Sequence, residues 1–308
     1  MKLVTFKIKA TGAQTIGAYT ENGYVDLVAI TGGELPNNMI DFLNGGEATM
    51  ARARQALAEK DVVSCKGNCL YSEDEVVQMA PVPRPGKIIH TSCNFDAHLK
   101  ELTGWQAPEW QDHGWGDFHF EHPTGFLEAP SCVVANGQGI QIPRFTKQLD
   151  FEIEVGIVIG KRAKCVTPEE ALDYVAGLTI FNDVSARDIQ AREHANKVIL
   201  MGKSFDGSCP FGPWLVTKDE IGDVNNLEMK LRLNGEVRQD SNMAQTHYNV
   251  QQLVSWWSEM TLEPGDIITT GSPPGVISGM ENPVWLKPGD LVECTVEKLG
   301  TLATPIID

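Results

Sequence analysis

The sequence predicts a strand-rich α+β protein with a small N-terminal part and a larger, β-dominated part. Three observations carry this. Short runs of β-branched and aromatic residues alternate with turn signals along most of the 308 residues. Few stretches have the composition or the period of a helix. One segment, Ala80-Pro81-Val82-Pro83-Arg84-Pro85-Gly86, interrupts the chain. Its alternate prolines hold the backbone extended, so it marks the expected boundary between residues 1–80 and 85–308.

Taken in order, residues 3–8, 15–19 and 24–26 read as strands, with the hairpin signal Asn22-Gly23 before the third. Residues 39–43 and 48–60 read as helices, the second rich in Ala, Arg and Gln. Past the prolines, residues 87–92 read as a strand, followed by a helical turn carrying His98. Residues 103–125 hold Trp105, Trp110, Trp115, Phe118 and Phe120 without a period, which predicts a long ordered loop. The remainder alternates strands with turns such as Asn234-Gly235 and Pro264-Gly265-Asp266. Helices are expected there only at 168–175 and 250–259.

Composition bounds the function. Hydrophobic residues make up 42% and charged residues 21%, as in a chain that buries a real core. The net charge of −16 and the absence of a basic stripe exclude nucleic acid as a partner. An anionic substrate would need local cations, either a metal or a few placed Lys and Arg. No stretch approaches the roughly 18 apolar residues of a membrane span, and the opening residues lack a signal peptide's apolar run. Seven scattered cysteines, with only Cys65 and Cys69 close together, predict reduced thiols in a cytoplasm.

Residues 150–160 read with period two. Phe151, Ile153, Val155, Ile157 and Ile159 share one face; Asp150, Glu152 and Glu154 share the other. Two carboxylates pointing the same way repel, and a hard divalent cation between them resolves the conflict. Oxygen-only ligation favours Mg2+, Mn2+ or Ca2+ over zinc. A solvated strand face whose charges deter edge pairing explains the same pattern. Asp183, where the apolar run 177–182 stops, is placed either to complete a cation site or to cap the next turn. Lys203, in Gly202-Lys203-Ser204-Phe205, is either a surface charge or the cation for a substrate carboxylate or oxyanion.

Jointly, these pieces resemble a known family. Asp150-Phe151-Glu152-Ile153-Glu154-Val155-Gly156, Phe181-Asn182-Asp183-Val184-Ser185-Ala186-Arg187-Asp188, Lys203-Ser204-Phe205 with Cys209-Pro210, Asn234-Gly235-Glu236, and Thr269-Thr270-Gly271-Ser272-Pro273-Pro274-Gly275 stand in the order of the fumarylacetoacetate hydrolase superfamily. The match spans roughly residues 85 to 308. The resemblance implies a mixed β-roll or barrel, usually in a homodimer, with Glu152, Glu154 and Asp183 holding one Mg2+ or Mn2+ (Ca2+ less suited). Members with a fourth carboxylate carry it upstream of the catalytic His. Thr91 stands at the matching position here, so a three-carboxylate site is expected.

Asn94-Phe95-Asp96-Ala97-His98-Leu99-Lys100-Glu101 resembles the family's substrate-covering segment, with Ser92 in place of the usual Gly and Phe95 in place of Tyr. Three residues apart on a helical turn, His98 and Glu101 lie side by side. Glu101 would orient the imidazole and His98 would take a proton from water. The Trp-rich stretch would line the pocket or pack against a neighbouring part.

The implied chemistry is hydrolysis of a carbon–carbon bond in a 2,4-dioxo acid of acylpyruvate type, through a metal-stabilised enolate. Catalysis would fall to His98, Glu101 and Lys203, and binding of the anionic 2-oxo acid to Arg187, Gln190, Gln239, Thr270 and Gly271. The same site serves 2-oxo acid decarboxylation, dienoate isomerisation and ureidoglycolate cleavage elsewhere in the superfamily. A binding protein that kept the fold and lost the chemistry is the competing class.

Overall fold

A computed structural model describes residues 1–59, 62–65, 67–103 and 121–308. Most of the Trp-rich stretch, including Trp105, Trp110, Trp115, His113 and His119, lies outside the described residues, and so does its expected role. Its end is no loop: Gly125–Glu128 is a strand.

Lys2–Ile8, Gln14–Thr20 and Gly23–Asp26 form the antiparallel meander that the alternation and the Asn22-Gly23 turn predict. Met39–Asn44 and Gly46–Glu59 are the expected helices, and Asn38 caps the first by accepting from the Asp41 N–H. The sheet continues past the Pro-rich segment. Lys2–Ile8 pairs with Cys209–Thr217, with Lys2 opposite Val216. From there the order runs through Val175–Asn182, Ile153–Ile159, Ile267–Thr269, Ile88–Thr91 and Gly125–Glu128, in a sheet of 12 described strands. A second, five-stranded sheet is built from Glu236–Asn242, Glu228–Leu233, Leu291–Val296, Gly300–Ile307 and Ile140–Gln141. The fold is strand-rich α+β as expected, but its sheets stay open and do not close into a barrel.

The acidic stretch is shorter as a strand than its period suggests. Leu149–Asp150 pairs separately with Ser185–Ala186, and the central strand begins at Ile153. That strand is paired on both sides, by Val175–Asn182 and by Ile267–Thr269. Both of its faces are buried. Val155 and Ile157 enter a core with Ile180, Leu231 and Leu253, while Val158 enters another with Leu3, Phe42 and Leu215. Each such side chain contributes about 1.5–3 kcal/mol by leaving water. A solvated edge is therefore excluded as the reason for the acidic pattern.

Two helix expectations need correction. Residues 168–175 hold only a 3-10 turn at Ala171–Tyr174, because Val175 already enters the next strand. Arg187–Ala195 is a helix that hydrophobic period could not reveal, since its buried face carries Arg187 and Gln190. No described helix is long and apolar enough to cross a membrane.

Candidate active site

Three strand ends and one helix bring the acidic residues together. Glu154 lies within the central strand, and Asp183 directly follows the strand Val175–Asn182. The Asp183 N–H donates to the Glu152 carbonyl at 2.9 Å, and Asn182 Oδ1 accepts from the Glu152 N–H at 3.0 Å. Glu152, Glu154 and Asp183 are buried, at 6%, 2% and 2% exposure. Gly271 closes the same wall, its N–H donating to Glu154 Oε2 at 2.9 Å. A Cβ there would meet Asn94 Cβ at 2.9 Å and the Thr91 carbonyl at 3.0 Å, and φ is +79°, so only glycine fits.

Lys203 Nζ bridges two of the trio, donating to Glu152 Oε2 at 2.9 Å and Asp183 Oδ2 at 2.6 Å. Arg187, 1% exposed, donates from Nη2 to Glu152 Oε1 at 2.6 Å, from Nε to Asp150 Oδ2 at 2.8 Å and from Nη1 to Gln190 Oε1 at 2.9 Å. Asp150 also accepts from the Ile277 and Ser278 N–H groups. Glu152 is thus held at both oxygens. His90 joins from behind: Nδ1 lies 3.3 Å from Asp183 Oδ2 and Nε2 lies 2.7 Å from Glu128 Oε2.

Five buried carboxylates (Glu128, Asp150, Glu152, Glu154 and Asp183) face three buried cationic side chains, His90, Arg187 and Lys203. The imbalance falls on Glu154, whose carboxyl is pushed up to about 8 by burial and by Asp183 and Glu152 beside it. Burial opposes the charge on Asp183 too, but Lys203 and His90 outweigh it and hold Asp183 well below the usual carboxylate range. The same carboxylates outweigh burial at Lys203 and at His90 and raise both. Lys203 is therefore a fixed cation rather than a base.

This donor set fits a divalent cation. Asp183 Oδ1 is buried with no hydrogen-bond partner among the described residues, and Glu154 stands short of compensating charge. Ligand atoms of His90, Glu154 and Asp183 lie within 4.8 Å of one another, and so do those of His90, Glu128 and Cys209.

His98 and Glu101 sit on the helix Asp96–Thr103. Glu101 Oε2 holds His98 Nδ1 at 2.8 Å, while Oε1 accepts from the Gly275 N–H at 3.0 Å. Asn94 ties the start of this segment to the sheet, donating from Nδ2 to the Thr270 and Tyr248 carbonyls at 2.9 Å. A cavity of about 200 Å³ is lined by His98, Glu152, Glu154, Asp183, Lys203 and Arg187, with Gln190 and His194 also on its wall. Thr91 lines it as well, its hydroxyl accepting from Trp257 Nε1 at 3.1 Å, so no fourth carboxylate stands at that position.

The remaining expected binding residues hydrogen-bond the frame of the site. Gln239, fully buried, accepts from the Ile153 N–H and donates to Ser272 Oγ and the Pro273 carbonyl. Thr270 Oγ1 accepts from the Val155 N–H, and Gly271 serves Glu154. Sequence reasoning missed His90 and Glu128. One sits in an apolar strand and the other beside prolines, and neither has a spacing that signals a site.

The model of the fumarylacetoacetate (FAA) hydrolase C-terminal family matches residues 87–307. The chain belongs to this family. The FAA hydrolase relationship extends over the whole chain: the mitochondrial oxaloacetate tautomerase FAHD2A of Bos taurus is 38% identical over 310 residues, covering 100% of this chain and 92% of that protein. Among solved structures, the fumarylacetoacetate hydrolase of psychrophilic Exiguobacterium antarcticum superposes with a TM-score of 0.78 at 31% identity, covering 99% of each chain. The maleylpyruvate hydrolase of Sphingobium sp. SYK-6, in complex with manganese(II) and pyruvate, gives 0.74 at 26% identity, covering 100% of this chain and 99% of that one. These relatives of the FAA hydrolase fold are enzymes of tautomerase and hydrolase type, and the manganese complex and the His90–Glu154–Asp183 group both support a divalent metal here.

Proposed function

We propose that the chain is a divalent-metal-dependent enzyme that interconverts the keto and enol forms of a small 2-oxo dicarboxylic acid of oxaloacetate type. The observation that carries this is the shared cavity. One lining holds both a carboxylate cluster short of positive charge and a histidine oriented by its own glutamate. The full-length likeness to an oxaloacetate tautomerase favours this reaction within the family.

Glu154 and Asp183, with Glu152 beside them, would hold Mg2+ or Mn2+. The bound ion would act as a Lewis acid, stabilising negative charge on the 2-oxo oxygen. Lys203 adds a permanent cation to the same wall. Arg187 sets Glu152, and Gln190 presents its amide to the cavity for a substrate carboxylate. Because Glu101 accepts from Nδ1, proton transfer falls to Nε2 of His98. His98 takes a proton from C3 of the keto acid. The C3–H electron pair becomes the C2–C3 double bond, the carbonyl pair moves to oxygen, and the imidazolium returns its proton there to give the enol.

The test follows enol absorbance of oxaloacetate with Mn2+ or Mg2+ present. Acceleration over buffer is expected, and its absence with both metals would remove the reading. A second reading rests on the same His98–Glu101 pair: it equally suits activating water for carbon–carbon hydrolysis of acylpyruvates. Acylpyruvate turnover that survives His98→Ala would sink that version. We also take the protein as cytoplasmic, in keeping with seven free cysteines, and as a homodimer, which light scattering in solution checks.

A further inference from the structure

Two buried polar residues, His90 and Glu128, move no proton in the reaction above, although a ring nitrogen of His90 lies close enough to Glu154 and Asp183 to be a ligand itself. They lie on neighbouring antiparallel strands behind the carboxylate cluster. The His90 ring is enclosed by two aromatic rings and two carboxylates, and its contact with Glu128 is an ion pair without hydrogen-bond alignment. It stacks on Phe126 at 4.9 Å and 4°, and meets Phe181 edge-on at 5.1 Å and 80°. Nδ1 faces Asp183 Oδ2 at 3.3 Å and Thr269 Oγ1 at 3.2 Å, and Nε2 faces Glu128 Oε2 at 2.7 Å. Glu128 is held in turn, accepting from Cys209 Sγ at 2.6 Å and Ser208 Oγ at 3.4 Å.

Asp183 shows what this chain of contacts does. Its Oδ2 is engaged from two sides, by Lys203 and His90, while its buried Oδ1 has no hydrogen-bond partner among the described residues. Anchoring one carboxylate oxygen removes the rotation that would exchange it with the other, so Oδ1 keeps a fixed direction. An imidazole buried between two carboxylates carries a desolvation cost that an apolar residue would avoid. Outer partners that orient a ligating side chain are the recurrent use of such an arrangement. We propose that His90, held by Glu128, is a positioning residue that fixes Asp183 so that Oδ1 serves the cation. This rests on the metal-site reading of the preceding section.

Mn2+ affinity, measured by loss of the free-ion EPR signal, tests it on the purified full chain. His90→Gln should weaken Mn2+ binding by about 10- to 100-fold. His90→Asn, whose amide reaches the place of Nδ1, should restore most of it. Glu128→Gln should fall between them, and decides the matter if His90→Gln does not fold. Unchanged affinity in the folded variants overturns the proposal. So does a nitrogen coupling in pulsed EPR of the wild-type Mn2+ complex that disappears in His90→Gln, because His90 would then be a ligand itself. Wild-type protein that binds no Mn2+ overturns the metal reading as well, a result distinct from either.

Discussion

The cavity has two walls built in different ways. The carboxylate wall stands on central strands, and its members are tied by ion pairs, backbone amides and a glycine that admits no side chain. The His98 wall is one short helix, anchored by Asn94, by the Gly275 N–H donating to Glu101 and by His247 Nδ1 at 3.0 Å from Asp96 Oδ1. Charge that must be held for every turnover is placed on the sheet. The group that moves a proton is placed on a separate helix outside the sheet. Binding and proton transfer should therefore be separable by mutation.

The largest effects belong to the sheet. Asp183→Asn or Glu154→Gln should abolish Mn2+ binding and lower turnover by about 10³-fold or more, since the cation's contribution is several kcal/mol. Parallel EPR and steady-state assays check both; retained binding in either variant breaks the comparison at its base. His98→Ala should lower kcat by about 10²- to 10⁴-fold while leaving Mn2+ affinity within about twofold. An equal loss of affinity would show that the walls are not independent.

A subtler change reaches the helix from outside. A Cβ on Gly279 would lie 2.2 Å from Glu101 Oε1, so Gly279→Ala should displace Glu101 and with it His98. A fall in kcat of about ten- to a hundredfold is expected, with thermal stability little changed. A wild-type kcat would mean that Glu101 does not orient the base.

The smallest effect concerns the metal-free protein. A carboxyl whose folded value lies above its unfolded one stabilises the fold at low pH, fully below the unfolded value and progressively less up to the folded one. Glu154 rises from 4.5 to about 8, so metal-free protein should lose stability as pH rises across that interval. Glu154→Gln should flatten this slope and raise the melting temperature by a few degrees at pH 8. Melting curves from pH 4 to 9 measure it, and an unchanged slope in the variant would assign the dependence elsewhere.

Much of this was legible in the residues. Alternation and turn signals located the N-terminal meander, and the paired acids with Asp183 and Lys203 marked one wall of the cavity. Less visible was whatever depends on tertiary burial. The helix carrying Arg187 and Gln190 hid because its buried face is polar. The hydrogen bonds by which Gln239 and Thr270 hold the strand that carries Glu154 could not be read from the residues either. His90 and Glu128 acquire meaning only when two strands distant from Asp183 in sequence are laid beside it.

The pairing of Lys2 with Val216 bears on how the molecule is made. The strand Lys2–Ile8 finds this partner only after Val216, about two hundred residues further on, has been synthesised. Its neighbours Gln14–Thr20 and Val76–Met79 flank it early, and its final register waits on a long-range closure. Such non-local pairing slows folding and leaves an apolar edge open to other nascent chains in the interval. Yield at high expression temperature should therefore respond more to Leu3 and Leu215, where that closure is made, than to any residue of the cavity.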